Sequence, residues 1–491
     1  MNPFKKLAGE TAIYGLSSIV GRTLNFLLFP MYVHIFPPEE YGIITNLHAY
    51  VAFFLIFLTY GMETTFFRFS KKYPNSNDVY STSASSVLST SLLFLLIIGA
   101  FLKPLTSSLG YPGQEKYVLY LAIIVAIDAF TAIPFAYLRK ENKALRFATI
   151  KVINIGIQIG LNLLFFLVFR PLSANYPDSF FSFLYNPAIG ICYVFTSNLV
   201  ANVVTLFLLY PEIRKIKFKI DFSLLKPMLK YALPILIVGF AGQINQNIDK
   251  ILLKFLVAPE QNPMHQIGVY GANYKIAILM SLFIQAFSYS FEPFFFSQDD
   301  SKKTRQTYAD IMKYFIILGW IIFLGITLYI DIFKFLESPA YYEGLKIVPI
   351  ILIANLLMGV YYNQAIWYKV TDKTKYGAYQ SVVGALVTLG INLAFIPVIG
   401  YMASAIASLL CVVVMVILSY IWGRKYYPID YDLKRIFIYT VFALAIYLVS
   451  VLIPYPSITI KIIANTILFA IFVGIVFLKE IKPLLNKRKL N

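Results

Sequence analysis

The feature that most limits how this chain can fold is a near-unbroken succession of apolar runs, each about 20 residues long. A helix of that length spans the hydrocarbon core of a bilayer, so each run is a candidate transmembrane helix. The runs fall at about fourteen places: 9–36, 40–69, 81–102, 116–138, 147–169, 188–210, 228–257, 267–297, 309–333, 344–369, 377–398, 401–423, 436–454 and 460–479. The gaps between them are short, and only "RPLSANYPDSFFSFLYNP", Arg170 to Pro187, reads as a loop with structure of its own. Composition agrees: 59% of residues are hydrophobic and 13% charged, against about 45–50% and 25% in soluble domains. The first run follows "MNPFKKLAGE", a basic start like that of a signal peptide. Arg22 interrupts that run, and it continues to Phe36, well past a usual signal core, so it reads as a retained first span.

A net charge of +18 suggests nucleic acid or, equally, basic residues gathered on one side of a membrane. The loops decide between these. With the N-terminus inside, the inner segments, among them "RKENKALR", "EIRKIKFKIDFSLLK" and "GRKYYPIDYDLKR", hold about 28 Lys and Arg, and the outer ones about six. This positive-inside asymmetry accounts for the charge without nucleic acid and places both termini in the cytoplasm.

The chain also repeats itself. "EYG" at Glu40–Gly42 and "VYG" at Val269–Gly271 are 229 residues apart, as are Glu63 of "GMETTFFRF" and Glu292 of "FEPFFF". "GLNL" at Gly160–Leu163 and "GINL" at Gly390–Leu393 are 230 apart, as are "ENK" at Glu141 and "TDK" at Thr371. A duplication of six spans keeps both copies in one orientation, which makes the repeat parallel, with a substrate path expected between the lobes. The expected fold is an all-α integral membrane protein with about fourteen helices. An N-lobe covers residues 1–219 and a C-lobe 220–427, with two further helices in 428–491.

Charged groups near the bilayer centre are costly and tend to line cavities. Arg22 lies mid-span, on a helical stripe with Tyr14, Ser18 and Asn25. It is either a cavity cation or a structural arginine bonded to backbone carbonyls. In "GQINQNIDKILLK", Gln243, Gln246, Lys250 and Lys254 form one stripe, Asn245 and Asp249 the next, and Asn247 adds an amide. Such a broad polar face cannot meet lipid. Its alternative role is an internal Asp249–Lys salt bridge that joins helices. Lys254 is close enough to the outer surface to snorkel. The next span carries Lys275 and Gln285, and Glu63 and Glu292 lie near the inner ends of equivalent spans, as gating residues or as ion pairs with basic loops. Asp128 is mid-span, a candidate ion or proton site. Tyr41, Tyr270, Tyr274, Tyr289, Tyr361 and Tyr362 either stack on sugars or mark the membrane interfaces.

Several chemistries have no sequence support. Cys192 and Cys411 lie in apolar runs without paired spacing, and His34, His48 and His265 lack ligand spacing, so neither metal nor disulfide is expected. There is no phosphate-binding G-x-x-x-x-G-K-[ST], H-E-x-x-H or G-x-S-x-G, and no cofactor is expected.

Fourteen spans in two lobes of six plus two, with basic residues in the first span of each lobe, resemble the multidrug/oligosaccharidyl-lipid/polysaccharide exporter superfamily. The resemblance is carried by "YGIITNLHAYVAFFLIFLTYGMETTFFRF", "LNLLFFLVF" after "KVINIG", and "FSYSFEPFFF", and the polysaccharide transporter branch, the O-antigen and capsule repeat-unit flippases, is the most similar. It implies a V-shaped pair of lobes around a central cationic cavity. Its implied activity is movement of undecaprenyl-pyrophosphate-linked oligosaccharide repeat units to the outer leaflet by alternating access. That activity would serve lipopolysaccharide, capsule or exopolysaccharide synthesis in the bacterial cytoplasmic membrane, beside glycan polymerase machinery. Arg22 matches the cavity arginines of similar lipid II flippases, with Lys250 and Lys275 as cations of the second lobe. The last two spans would offer a groove for the lipid tail. The alternatives are a multidrug/cation antiporter or lipid II flippase of the same superfamily and, outside it, a membrane glycan polymerase or ligase, which would need a longer outer loop.

Overall fold

The computed structural model describes residues 21, 23–24, 26–73, 76–178, 180, 184–297 and 302–483. Among them there is no strand; helices account for nearly all of the chain, as the apolar runs require, because a helix satisfies its own backbone in lipid. The principal helices are α1 (Phe26–Ile35), α2 (Pro38–Thr59), α3 (Met62–Lys72), α4 (Ser76–Ala100), α5 (Glu115–Lys140), α6 (Ala144–Leu163), α7 (Cys192–Leu208) and α8 (Phe222–Leu256). They continue with α9 (Pro263–Ile276), α10 (Ile278–Ser297), α11 (Lys302–Thr327), α12 (Val348–Gln364), α13 (Lys375–Ile399), α14 (Tyr401–Tyr426), α15 (Leu433–Leu452) and α16 (Ile458–Val476). Among the described residues, 11 helices are long and apolar enough to cross a membrane, 12 if α9 and α10, bent by 45° at their junction, form one span. α1 and α7 are apolar but shorter. Length alone therefore does not establish fourteen spans.

By packing, the chain divides after Phe255 into two units, Met1–Phe255 and Leu256–Asn491. α8 thus packs with the helices that precede it. Phe240 meets Phe53 edge to face at 5.5 Å, and Gly239 lies against Ile56. The core of this unit joins Met62 and Phe66 of α3, Val79, Ala84 and Val87 of α4, Ala129 and Ile133 of α5, and Met228 of α8. α4 can approach closely because Ser81, Thr82, Ser83, Ser85 and Ser86 are small and buried.

α2 and α3 are separated by two left-handed residues, Tyr60 (φ 34°) and Gly61 (φ 72°). At 61 a Cβ would also come within 2.9 Å of Ile235 and 3.1 Å of the Ala232 carbonyl, so glycine is needed for backbone and packing alike. In the second unit Gly400 (φ 57°) turns α13 into α14. Gln266 is packed against it and accepts the Tyr401 N–H at 3.1 Å.

Two asparagines of the matched "GLNL" and "GINL" stretches share a local structure. Asn162 in α6 and Asn392 in α13, 230 residues apart, are both fully buried. Each donates to the carbonyl four residues back, of Gln158 at 2.7 Å and Thr388 at 2.8 Å. Each accepts a hydroxyl from another helix, of Tyr32 at 2.7 Å and Ser404 at 2.9 Å.

α15 and α16 are fastened to α11 at both ends. At the basic end Glu480, which is 4% exposed, accepts from Lys313 of α11 (3.1 Å), Arg435 (3.3 Å) and the Tyr439 hydroxyl (3.0 Å). A π turn, Phe477–Ile481, follows α16 and carries Glu480. At the opposite end Asn465 donates to the Leu328 carbonyl at 2.6 Å, and Lys461 pairs with Asp331 at 2.7 Å.

Glu337 lies in the connection between the α11 and α12 spans. It is 1% exposed, and neither carboxyl oxygen has a hydrogen-bond partner. Burial pushes its carboxyl up to about 8. A folded-state value above the unfolded one, ordinarily 4.5, means that the folded chain holds a proton the unfolded chain has released. Stability from this group is therefore full below about pH 4.5 and falls as the pH rises to about 8, by at most about 1.4 kcal/mol per pH unit. Thermal unfolding of the purified protein at a series of pH values should show that slope, and Glu337→Gln should flatten it. An unchanged slope in the variant would assign it to other groups.

Candidate functional site

The polar run on α8 is where sequence and structure meet. Gln246 is exposed, and Gln243, Asn245 and Asn247 are half-buried. Asn247 donates to Gln243 Oε1 at 2.6 Å, one helical turn back, so the two amides hold each other in a fixed pose. Lys250 is 9% exposed and Asp249 4%. The Lys250 ammonium donates to Asp249 Oδ1 (3.2 Å), the Gln246 carbonyl (2.9 Å) and Asn247 Oδ1 (3.4 Å). The salt bridge considered for Asp249 thus forms, within α8, between adjacent residues.

α8 is anchored to α2 beside this pair. Asn46, fully buried, donates to the Lys250 carbonyl at 2.6 Å and accepts the Tyr111 hydroxyl at 2.7 Å. Lys254 departs from expectation. It does not snorkel: its Nζ is buried without a hydrogen-bond partner, 2.9 Å from the centre of the Tyr111 ring. The reason is tertiary, since the connection before α5 folds Tyr111 over the end of α8 and closes the route to water.

A second polar group lies between α5, α6 and α7. Asn202 donates to Asp128 Oδ1 at 2.9 Å, and Asn154 donates to Asn202 Oδ1 (3.2 Å) and Thr205 Oγ1 (2.9 Å). Lys151 is within electrostatic reach of Asp128, Glu63 and Arg139. Near the basic end Glu63 pairs with Arg139, so its carboxylate is joined to the end of α5.

In the second unit Lys275, in the last turn of α9, and Gln285 of α10 are half-buried. Glu292 is in α10, but its side chain lies outside the described residues, as do Arg22 and Asn25 altogether. Of the tyrosines weighed for sugar stacking, Tyr41, Tyr270 and Tyr361 are buried in the core, while Tyr362 is 46% exposed.

The structure therefore assembles Gln243, Gln246, Asn247, Asp249 and Lys250 on one helix and ties Asp128 into a separate network. Sequence reasoning missed Asn46, Tyr111, Asn154, Asn202 and Thr205. The asparagines could have been found as lone amides within apolar runs; Tyr111, in a connection, carried no such signal.

The second unit also holds a cleft of about 420 Å³ between α11, α12, α14 and α15, lined by Ile316, Trp320, Leu356, Val360, Ile417 and Leu444 among others. Nearly all of its wall is carbon. α15 packs mainly on α11 and α16 and follows α14 through residues 427–432, and the cleft lies between α14 and α15.

Solved structures with the same fold are transporters. A lipid II flippase MurJ in an inward closed conformation superposes with a TM-score of 0.72 at 15% identity, over 95% of this chain and 99% of that one. An inward-facing multidrug resistance MATE family transporter of the MOP superfamily gives 0.62 at 14%, over 84% and 94%. A MOP superfamily transporter from Pyrococcus furiosus, whose binding pocket is described as of reverse polarity, gives 0.58 at 15%, over 85% and 95%. No curated protein sequence matches the chain. The all-helical architecture is thus that of the MOP-superfamily transporters. The profile of one sequence family, described as polysaccharide biosynthesis protein, matches residues 7–299, and with more than half of its length covered the chain belongs to that family.

Proposed function

We propose that the protein is a flippase that moves polyprenyl-pyrophosphate-linked oligosaccharide repeat units from the cytoplasmic to the outer leaflet by alternating access. The observation that carries this reading is the run Gln243–Lys250, a cation, a carboxylate and several amides on a membrane-length helix, in a chain of this family. A pyrophosphate and many sugar hydroxyls cannot cross hydrocarbon uncompensated. Amides such as Gln243, Gln246 and Asn247 can replace water on the hydroxyls. Arg22, Lys250 and Lys275 can neutralise phosphate, with Asn25 and Gln285 as further polar contacts. Lysine offers a point charge where arginine offers a fork, so the two types would hold the headgroup differently. The apolar tail can remain in the bilayer throughout.

Asp128, held by Asn202, is the proposed ion or proton coupling residue, and Glu63, paired with Arg139, a gating contact, with Asp249 and Glu292 as further candidates. The proposed lobes follow the sequence repeat, 1–219 and 220–427, with 428–491 added. α8 then belongs to the second repeat although it packs in the first unit. The proposed location is the bacterial cytoplasmic membrane, with both termini inside and glycan polymerase machinery as neighbour.

The test is direct. Purified full-length protein in liposomes should equilibrate a polyprenyl-pyrophosphate-linked oligosaccharide between leaflets without ATP, read as accessibility to an externally added glycan-modifying reagent. Transport of small organic cations alone, or of lipid II alone, would move the protein to another branch of the superfamily. Polymerised glycan would make it an enzyme.

A further inference from the structure

The apolar cleft of the second unit has a polar floor at its basic end, where it meets a narrow crevice. Gln364, Tyr420 and Tyr431 line both spaces, and Trp367, Ser419, Arg424 and Tyr427 complete the crevice. Gln364 is 6% exposed, and its Oε1 has no hydrogen-bond partner. A buried amide oxygen without a donor is costly, so this one suits a hydroxyl or amine. The crevice, about 10 Å³, has room for about one hydroxyl-sized group and none for a sugar ring. Arg424, at the end of α14, lines the crevice and is exposed. The cleft itself opens sideways, where Ile417 (51% exposed) and Leu433 (51% exposed) are uncovered.

We infer that this cleft is a binding site for one anionic phospholipid with a hydroxylated headgroup, of the phosphatidylglycerol type. An acyl chain fills the space beside Trp320, Val360 and Leu444, whose volume is that of a small-ligand site. The phosphate sits beside Arg424, as basic sites between helices attract anionic lipid. A headgroup hydroxyl donates to Gln364 Oε1. The lipid then fills the gap between α14 and α15, and supports the fit of the last two helices against α11. The site lies wholly within the second unit and does not depend on what the protein transports.

The chain has three tryptophans, and Trp320 lines the cleft while being only 5% exposed. Bilayer lipid in general reaches such a side chain poorly. In the full chain carrying Trp422→Phe, whose remaining tryptophans Trp320 and Trp367 line the cleft and its crevice, phosphatidylglycerol brominated on its acyl chain should quench tryptophan emission about fivefold more effectively than brominated phosphatidylcholine at equal mole fraction, a difference of roughly 1 kcal/mol for a basic residue near an anionic headgroup. Leu444→Phe, which narrows the cleft, should lower the excess quenching. Gln364→Leu and Arg424→Gln should each bring the ratio of the two lipids towards one. Native mass spectrometry of the unsubstituted protein supplies a readout free of the tryptophan changes, and should retain one phosphatidylglycerol that Leu444→Phe loses. Equal quenching by the two lipids would overturn the proposal, as would undiminished quenching in Leu444→Phe. Displacement by polyprenyl phosphate at lower mole fraction than by unlabelled phosphatidylglycerol would overturn it as well, since the occupant would then be the chain of a polyprenyl carrier. None of these readouts measures transport, so failure here leaves the flippase reading standing, and failure of flipping leaves this site standing.

Discussion

Lys250→Ala is expected to lower both the amount of folded protein and the flipping rate of what remains, and a second substitution separates the two effects. In the folded chain the Lys250 ammonium lies 3.2 Å from Asp249, whose carboxylate is 4% exposed. Removing one partner of a buried ion pair leaves the other uncompensated, at about 3–5 kcal/mol. Replacing both partners by neutral groups of similar size is far less costly. Asp249→Asn with Lys250→Met should therefore return membrane levels close to those of the unsubstituted protein. If Lys250 also holds pyrophosphate, this double variant still lacks that contact, which is worth about 1.5–3 kcal/mol for a hydrogen bond to a charged group. Flipping per folded molecule should then stay down by roughly ten- to a hundredfold, because each 1.4 kcal/mol is a factor of ten. A double variant that folds and flips normally would show that Lys250 serves Asp249 alone, and that the polar face of α8 joins helices without handling substrate.

Glu480→Ala should strongly destabilise the second unit. Glu480 receives Lys313, Arg435 and Tyr439, and Lys313 is itself 6% exposed. Without the carboxylate, the Lys313 ammonium keeps Asp310 at 3.7 Å and the Tyr314 ring at 4.5 Å. The expected loss is about 3–5 kcal/mol, measured as a lower unfolding midpoint in detergent. Glu480→Gln keeps a hydrogen-bond acceptor and should lose less. Lys313→Met in the Glu480→Ala background should recover much of the stability, because it removes the stranded charge. If the double variant is less stable than Glu480→Ala, the network contributes through Lys313 in some other way, and its role in fastening α15 and α16 to α11 would need revision.

Much of this molecule is legible in one dimension. Hydropathy adds along the chain, so apolar runs identify membrane helices without reference to any partner. The repeat was visible as matches 229 or 230 residues apart, and the buried asparagines Asn162 and Asn392 bear the same shift in equivalent bonds. Even the unusual face of α8 announced itself, since polar side chains inside an apolar helix must have a reason to be there.

What the sequence could not decide was which group each polar residue would meet. Asp249 found its partner in the adjacent Lys250. Asp128 found Asn202, 74 residues away. Lys254, near a helix end and free by sequence to reach water, was closed in by Tyr111 from a different connection. α8, which the proposed repeat would assign to the second lobe, packs with the first unit. The orphaned amide of Gln364 follows from the gap that α15 leaves beside α14. The physical reason is common to all of these. Insertion into a membrane depends on each segment's own transfer free energy, a sum over its residues, so composition and spacing determine it. Hydrogen bonds and ion pairs are short-range and directional, and they depend on which helices touch and at what rotation, which only packing in three dimensions settles.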